Sequence, residues 1–406
     1  MRRCRKEILL ILLLILSIFI KSHFLFSVSL FFIAYILLLK ILLKKGLENV
    51  GVKMRISSSN VIEGSKIRLN FQVQTFSFLP VVEILPQTPV FFISKGERNL
   101  TFSPIFNKED EFEVELVAKR RGKYMLGRVK IRTYDPLGLV REERLIGEEK
   151  EVYVFPRIIK ISRPRIPIKE PSFGIRVKEK IFEDYTSLVG VREYTGNEDL
   201  KKIHWKISAH TGKLMVKEFP PTAITTVTVL IEPFATRDRR NEEIFLNHIS
   251  TITASLFNYF EFVKFRYGLW IIGKERIPEA SGKEHLIRLL REISSFEDIK
   301  DIKFTEFLRK NWSTLRKLKN IILIKKTMDT HDLLDLMKRK NPSTFVSILL
   351  IPDFGFLFPW EKPHPYQPRE TPEIDRIRRI KENIKRERIN IMIIRGNDSI
   401  ERFTYI

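Results

Sequence analysis

Val189 to Glu218 reads V-G-V-R-E-Y-T-G-N-E-D-L-K-K-I-H-W-K-I-S-A-H-T-G-K-L-M-V-K-E, and its reading decides how the second half of the chain is built. It gathers Arg192, Glu193, Tyr194, Gly196, Asp199, Trp205 and Lys217 into one short run with little apolar periodicity, so it specifies a shape rather than a plain helix or strand. Arg192-Glu193-Tyr194 is a polar tripeptide leading into a turn, because Thr195-Gly196-Asn197 supplies residues that tolerate positive φ and bond locally. A short segment over 199–209 follows. Asp199 is placed to cap it, and Ile203, Trp205 and Ile207 give it apolar contacts. Thr211-Gly212 closes it before a strand over 213–218. Two roles fit this stretch: a docking or phosphate-type site, or, more plainly, a buried polar knot in which Arg192 pairs with Asp199 or Glu193 and fixes how two domains meet.

Downstream, apolar runs alternate with amphipathic stretches. Residues 225–231 form a β-branched run of the fully buried kind, while Phe245, Ile249, Ile252, Leu256, Phe260 and Val263 recur at helical steps. Strands are predicted over 268–272, 321–325, 345–351 and 391–394, and helices over 285–293, 304–318, 333–340 and 374–386. Strands separated by helices imply right-handed crossovers, hence an α/β domain with a doubly wound, mostly parallel sheet. Asp353 to Glu361, with Pro363, Pro365 and Pro368 behind it, is an aromatic, Pro-rich loop, either a cover for the core or a lip for a partner.

Upstream, residues 47–156 read as a small all-β sandwich domain. Phe112, Val114, Leu116 and Ala118 alternate with glutamates, and Val129, Ile131 and Thr133 alternate with bases. Arg121-Gly122-Lys123 is predicted to reverse the chain tightly between them, and Asp135-Pro136-Leu137-Gly138 has the composition of a type I turn. About seven short strands suffice for a sandwich. Residues 157–188 are a basic, Pro-rich connector, stiff, solvated and attractive to anionic headgroups. Few aromatic residues interleave with its bases, so nucleic acid is not the expected partner.

Two apolar runs, 8–20 and 24–43, flank Lys21-Ser22-His23, and residues 1–46 read as a transmembrane helical hairpin. Arg2, Arg3, Arg5 and Lys6 precede the first run and Lys40, Lys44 and Lys45 close the second, which places both ends and the soluble domains in the cytoplasm, at the plasma membrane. A net charge of +23, from 72 Lys and Arg against 49 Asp and Glu, suits nucleic acid or an anionic lipid face. Cys4 is the single cysteine and forms no internal disulfide.

The order and spacing of Gly190, Arg192-Glu193-Tyr194, Gly196-Asn197-Glu198-Asp199, Lys202-Ile203-His204-Trp205, Ser208-Ala209-His210 and Leu214-Met215-Val216-Lys217-Glu218 resemble the "domain of unknown function 58" family. These are membrane-anchored relatives of von Willebrand factor A domains, often encoded beside MoxR-type AAA+ ATPases. His204 stands where that family has Asp, His210 where it has Arg, and the Gly-Asp-Asp is loosened. The resemblance extends upstream through Arg121, Tyr124, Leu126-Gly127 and Asp135-Pro136-Leu137-Gly138.

It implies an A-type domain over 189–406, whose relatives bind a divalent metal through Asp-x-Ser-x-Ser after the first strand and a later Asp. Here the loop is Glu232-Pro233-Phe234-Ala235-Thr236, and Lys325-Lys326 stand at the later place. A Phe offers no ligand and ammonium groups oppose a cation, so the site at Glu232, Phe234, Thr236 and Lys325 is degenerate and expected to hold no metal. No nucleophile elbow, phosphate loop or His-Glu-x-x-His occurs, and no cofactor is expected. The expectation is a non-enzymatic scaffold for a MoxR-type ATPase, in assembly or chaperone-like work, with self-association compatible. Its rivals are a membrane-face enzyme using Glu232, Arg237, Asp238, Lys325 and Lys326, and anionic-lipid or nucleic-acid binding through the basic connector.

Overall fold

Ser22 accepts the Leu25 N–H and opens helix α1 (His23–Glu48). Apolar side chains cover its N-terminal part on every side and stand exposed, Phe24, Phe31, Leu37 and Leu38 among them, which a water-soluble helix avoids. Among the described residues α1 is the one helix long and apolar enough to cross a membrane. In this computed structural model those residues are 12–13, 15–16, 18–76, 79–94, 100–102, 108–160, 182–183, 190–196, 200–218, 221–222, 225–233, 239–296, 299–351, 379 and 388–394. About half of the predicted first span thus falls outside them, as do most of the connector, the Asp353 to Glu361 loop and nearly all of the predicted 374–386 helix.

At about 1.5 Å per residue α1 is longer than the roughly 30 Å of bilayer hydrocarbon. Its last turns are used otherwise. Leu43 and Leu47 are buried, with Ile36 and Leu39 partly so, in the core of the β domain that follows. The guanidinium of Arg144 donates to the carbonyls of Leu47 and Glu48, 3.0 Å each, where the helix leaves acceptors unpaired and its dipole favours a cation. Helix α1 and the β domain are therefore one piece within the first of two compact units, Met1–Arg157 and Ile158–Ile406.

The strands of the first unit are β1 (Val50–Ile56), β2 (Asn60–Ile62), β3 (Lys66–Thr75), β4 (Val81–Pro86), β5 (Phe92–Ser94), β6 (Leu100–Phe102), β7 (Lys108–Ala118), β8 (Gly122–Leu126), β9 (Val129–Tyr134), β10 (Arg141–Ile146) and β11 (Lys150–Phe155). Two four-stranded antiparallel sheets, β1-β3-β7-β5 and β10-β9-β4-β6, share one core, and a third, β2-β11-β8, adds to it. The period-2 expectation places side chains well: Val114, Leu116, Ala118, Val129, Ile131 and Thr133 are all buried. Asp135 closes the β9–β10 turn, one carboxylate oxygen accepting the Leu137 N–H and the other the Val140 N–H, with Gly138 at φ 64°. The reversal expected at Arg121-Gly122-Lys123 is not a hairpin. Gly122 starts β8, which pairs with β11 and so leaves the sheet of β7 for another.

In the second unit the six-stranded sheet runs β18-β17-β16-β19-β20-β21, with β16 (Thr226–Ile231), β17 (Arg266–Ile271), β18 (Ile277–Ala280), β19 (Asn320–Lys325), β20 (Phe345–Leu350) and β21 (Ile389–Ile393). All neighbours are parallel except β18, an antiparallel edge that sequence reading did not foresee. Gly268 admits it, since a Cβ there would lie 2.7 Å from the Ile277 carbonyl oxygen. Helices cover both faces, which is why β19 is buried along its whole length. Tyr267 stacks on Phe257 of one helix (Arg239–Phe262), while Trp270, of opposite parity on the same strand, meets Phe307 of another (Phe304–Leu315) edge to face.

Replacing Arg144 with Ala removes both bonds to the end of α1. Amide hydrogen exchange in the last turn of α1 is expected to rise about fivefold, on the order of 1 kcal/mol, with β3 and β7 unaffected.

Candidate functional site

The order in which strands are added reverses about β16: β17 and β18 lie to one side of it, β19, β20 and β21 to the other. The carboxyl ends of β16 and β19 flank this switch point, the place where doubly wound sheets open a crevice. Glu232 follows β16, and its N–H donates to the Ile324 carbonyl at 3.0 Å, which sets it against β19. Lys325 ends β19 with its side chain only 5% exposed. The Lys325 Nζ lies 3.2 Å from Glu232 Oε2, donates to the Asp332 carboxylate, and sits 4.0 Å from the centroid of the Phe304 ring. Asp332 comes from the first turn of the helix Thr330–Arg339, where a negative charge is also favoured by the helix dipole.

One ammonium thus serves two carboxylates in a confined place. Burial pushes the Glu232 carboxyl up, Lys325 pulls it back, and the nearby Asp332 charge adds to the rise, leaving it above its ordinary value. A hard divalent cation needs several oxygen ligands around an open position. The position facing both carboxylates belongs to the Lys325 ammonium, so these residues do not fit a metal. Phe234 and Thr236 of the expected degenerate site lie outside the described residues, as do Arg237 and Asp238 of the rival crevice. Glu232 and Lys325 are brought together. Asp332, not singled out from sequence, joins them; an acidic residue in the first turn of the next helix, seven positions on, was the available signal.

The stretch that opened the sequence reading builds a second feature. Strands β13 (Gly190–Glu193) and β14 (Met215–Glu218) pair antiparallel, and between them run a 3-10 turn (Leu200–Lys202) and a short helix, α2 (Trp205–Thr211). Ile203, Ser208 and Val216 are its buried residues. The Ser208 hydroxyl accepts the Met215 N–H at 2.8 Å, and the His204 N–H donates to the Met215 carbonyl at 2.8 Å, so helix and strand are tied twice. Gly212 ends α2 at φ 68°, its N–H returning to Ser208.

Three expectations change here. His204 caps α2, its Nδ1 accepting the Ile207 N–H at 3.4 Å, which starts the helix later than expected; Asp199 lies outside the described residues. Trp205, expected to supply apolar contact, is 66% exposed. The Glu193 side chain does not form the expected knot with Arg192, because it pairs at the surface with Lys213 at 2.7 Å while the exposed Arg192 donates to the Glu193 carbonyl at 3.3 Å; the Asp199 alternative lies outside the described residues. Gly196 does take positive φ, 99°, as its turn required. Tyr194 donates its N–H to the Leu214 carbonyl, Lys217 lies in β14 opposite Val191, and His210 sits exposed in the last turn of α2.

This module and the sheet through β19 coincide with the region of known likeness: residues 190–323 match the family described as "Protein of unknown function DUF58". The chain is also 26% identical over 194 residues to the uncharacterized protein YeaD of Bacillus subtilis, a match that spans 47% of this chain and 47% of that relative. Among solved structures, the cupredoxin domain of amoB from Nitrosocaldus yellowstonii is 10% identical, with a TM-score of 0.20 over 25% of this chain and 86% of its own. A human F-spondin reeler domain fragment is 11% identical, with a TM-score of 0.16 over 25% and 91%. At such scores neither bears on the fold.

Lys325→Met strands two carboxylates in a confined place and is expected to cost about 2 kcal/mol, read as roughly thirtyfold faster amide exchange in β16 and β19. Glu232→Gln costs less, because burial already disfavours that charge and Asp332 still holds the ammonium. At the other feature, His204→Ala should speed exchange of the Ile207 amide by an amount equivalent to about 1 kcal/mol, whereas His204→Asp, a better cap, should slow it.

Proposed function

We propose that this chain is a membrane-anchored scaffold whose α/β body receives a protein partner without catalysing a reaction. The observation that carries the reading is the locked switch point. Where a doubly wound sheet usually exposes its reactive or ligand-holding groups, Lys325, Glu232 and Asp332 are spent on one another. Groups so engaged hold a surface in shape.

Several finer features belong to this reading. The sheet order with one antiparallel edge supports a von Willebrand factor A-like domain. Residues 12–13, 15–16 and 18–19 are helical and Ile20 and Lys21 turn before α1, with Lys21 at φ 53°, which supports a helical hairpin ahead of the β domain. The cations at its two ends favour a cytoplasmic body at the plasma membrane. The partner in this account is a MoxR-type AAA+ ATPase, which the family resemblance implies.

The test is titration of the full chain, in lipid nanodiscs, with the MoxR-type ATPase of the same organism. The expected result is saturable binding at micromolar affinity or tighter, unchanged by a chelator applied to the chain beforehand. No binding at tens of micromolar overturns the partner, and a turnover reaction lost on Lys325→Met overturns the non-catalytic reading.

A further inference from the structure

Among the described residues of the second unit few large apolar side chains stand exposed, and they are unevenly placed. Phe262, Ile287, Trp312 and Leu334 fall one to a helix, as isolated surface residues do. Leu200, Trp205 and Leu214, by contrast, fall within one short module, at 64%, 66% and 46% exposure. Among the described residues of that module the buried ones are Ile203, Ser208 and Val216, so these three exposed side chains stand outside its packing. Over residues 190–218 the sequence carries six Lys and Arg against four Asp and Glu, and among the described side chains Arg192, Lys206, Lys213 and Glu193 are exposed.

We propose that this module docks on the anionic surface of the bilayer that α1 enters, with Trp205, Leu200 and Leu214 in the headgroup layer and Arg192, Lys206 and Lys213 toward lipid phosphate. The inference rests on the membrane-anchoring part of the reading above and is independent of the ATPase. Two arguments select lipid as the occupant. Trp has an apolar body and a polar N–H, which suits a boundary where one side is wet, and each cation near an anionic leaflet strengthens attraction about fivefold. Covering three such side chains buries at most roughly 500 Å², short of the roughly 800 Å² per partner of a stable protein interface. On a chain already held at the bilayer, a patch of that size suffices, because the second contact is intramolecular in effect.

The experiment uses the full chain and its Trp205→Phe variant in vesicles carrying brominated acyl chains, made of phosphatidylcholine alone or mixed with phosphatidylglycerol. In the mixed vesicles the wild-type fluorescence should be quenched more than that of Trp205→Phe, and the difference should shrink severalfold in phosphatidylcholine alone and in the Lys206→Glu, Lys213→Glu double variant. Equal quenching of wild type and Trp205→Phe overturns the proposal. So does a Trp205 shielded from both bromine and aqueous acrylamide, which would mean a protein surface covers it, and so does a difference insensitive to phosphatidylglycerol. Flotation of the proteins with the vesicles reports the anchor separately. Loss of flotation therefore marks failure of anchoring, and flotation with equal quenching marks failure of the docking surface alone.

Discussion

A buried ammonium between two carboxylates governs the second unit. Lys325 ends one central strand, Glu232 leaves the other, and Asp332 begins a helix that packs over the sheet, so one side chain joins three segments that meet at the switch point. Each of these charges alone would be costly in so confined a place, and together they are tolerable. Phe304 contributes its ring face to the same ammonium. The ammonium thus occupies the space between the two carboxylates.

The first unit depends on a different economy. A helix longer than the bilayer is thick has turns to spare, and here they enter the β core through Leu43 and Leu47 while Arg144 satisfies the terminal carbonyls. A helix attached in this way is fixed in direction against the β domain, which cannot swivel about it without uncovering apolar surface. A helix joined by a loose loop would confer only proximity.

Much of the fold was legible where one rule dominates. The continuous apolar runs at β16, β19 and β20 can only be strands buried on both faces, and the alternation in β7 and β9 can only be strands buried on one. Reading failed where register or a distant partner decides. Ile277-Pro-Glu-Ala has no strand signal of its own; β18 exists because Gly268 lets a second backbone approach. Gly190-Val-Arg-Glu looks like a polar lead-in until β14 pairs with it. At the candidate site, Glu232 and Lys325 could be paired from strand ends, but Asp332 enters through a helix packed in three dimensions. Trp205 reads as a core residue by type, and only its burial reveals that it faces outward.

The account stands on the claim that the switch point carries its own cation. Calorimetric titration of magnesium, and separately calcium, into the full chain in nanodiscs tests this directly. The account predicts no saturable heat for either ion. A saturable exchange at micromolar affinity, abolished by Glu232→Gln, would contradict it, because the ammonium and a divalent ion cannot share the space between the same two carboxylates.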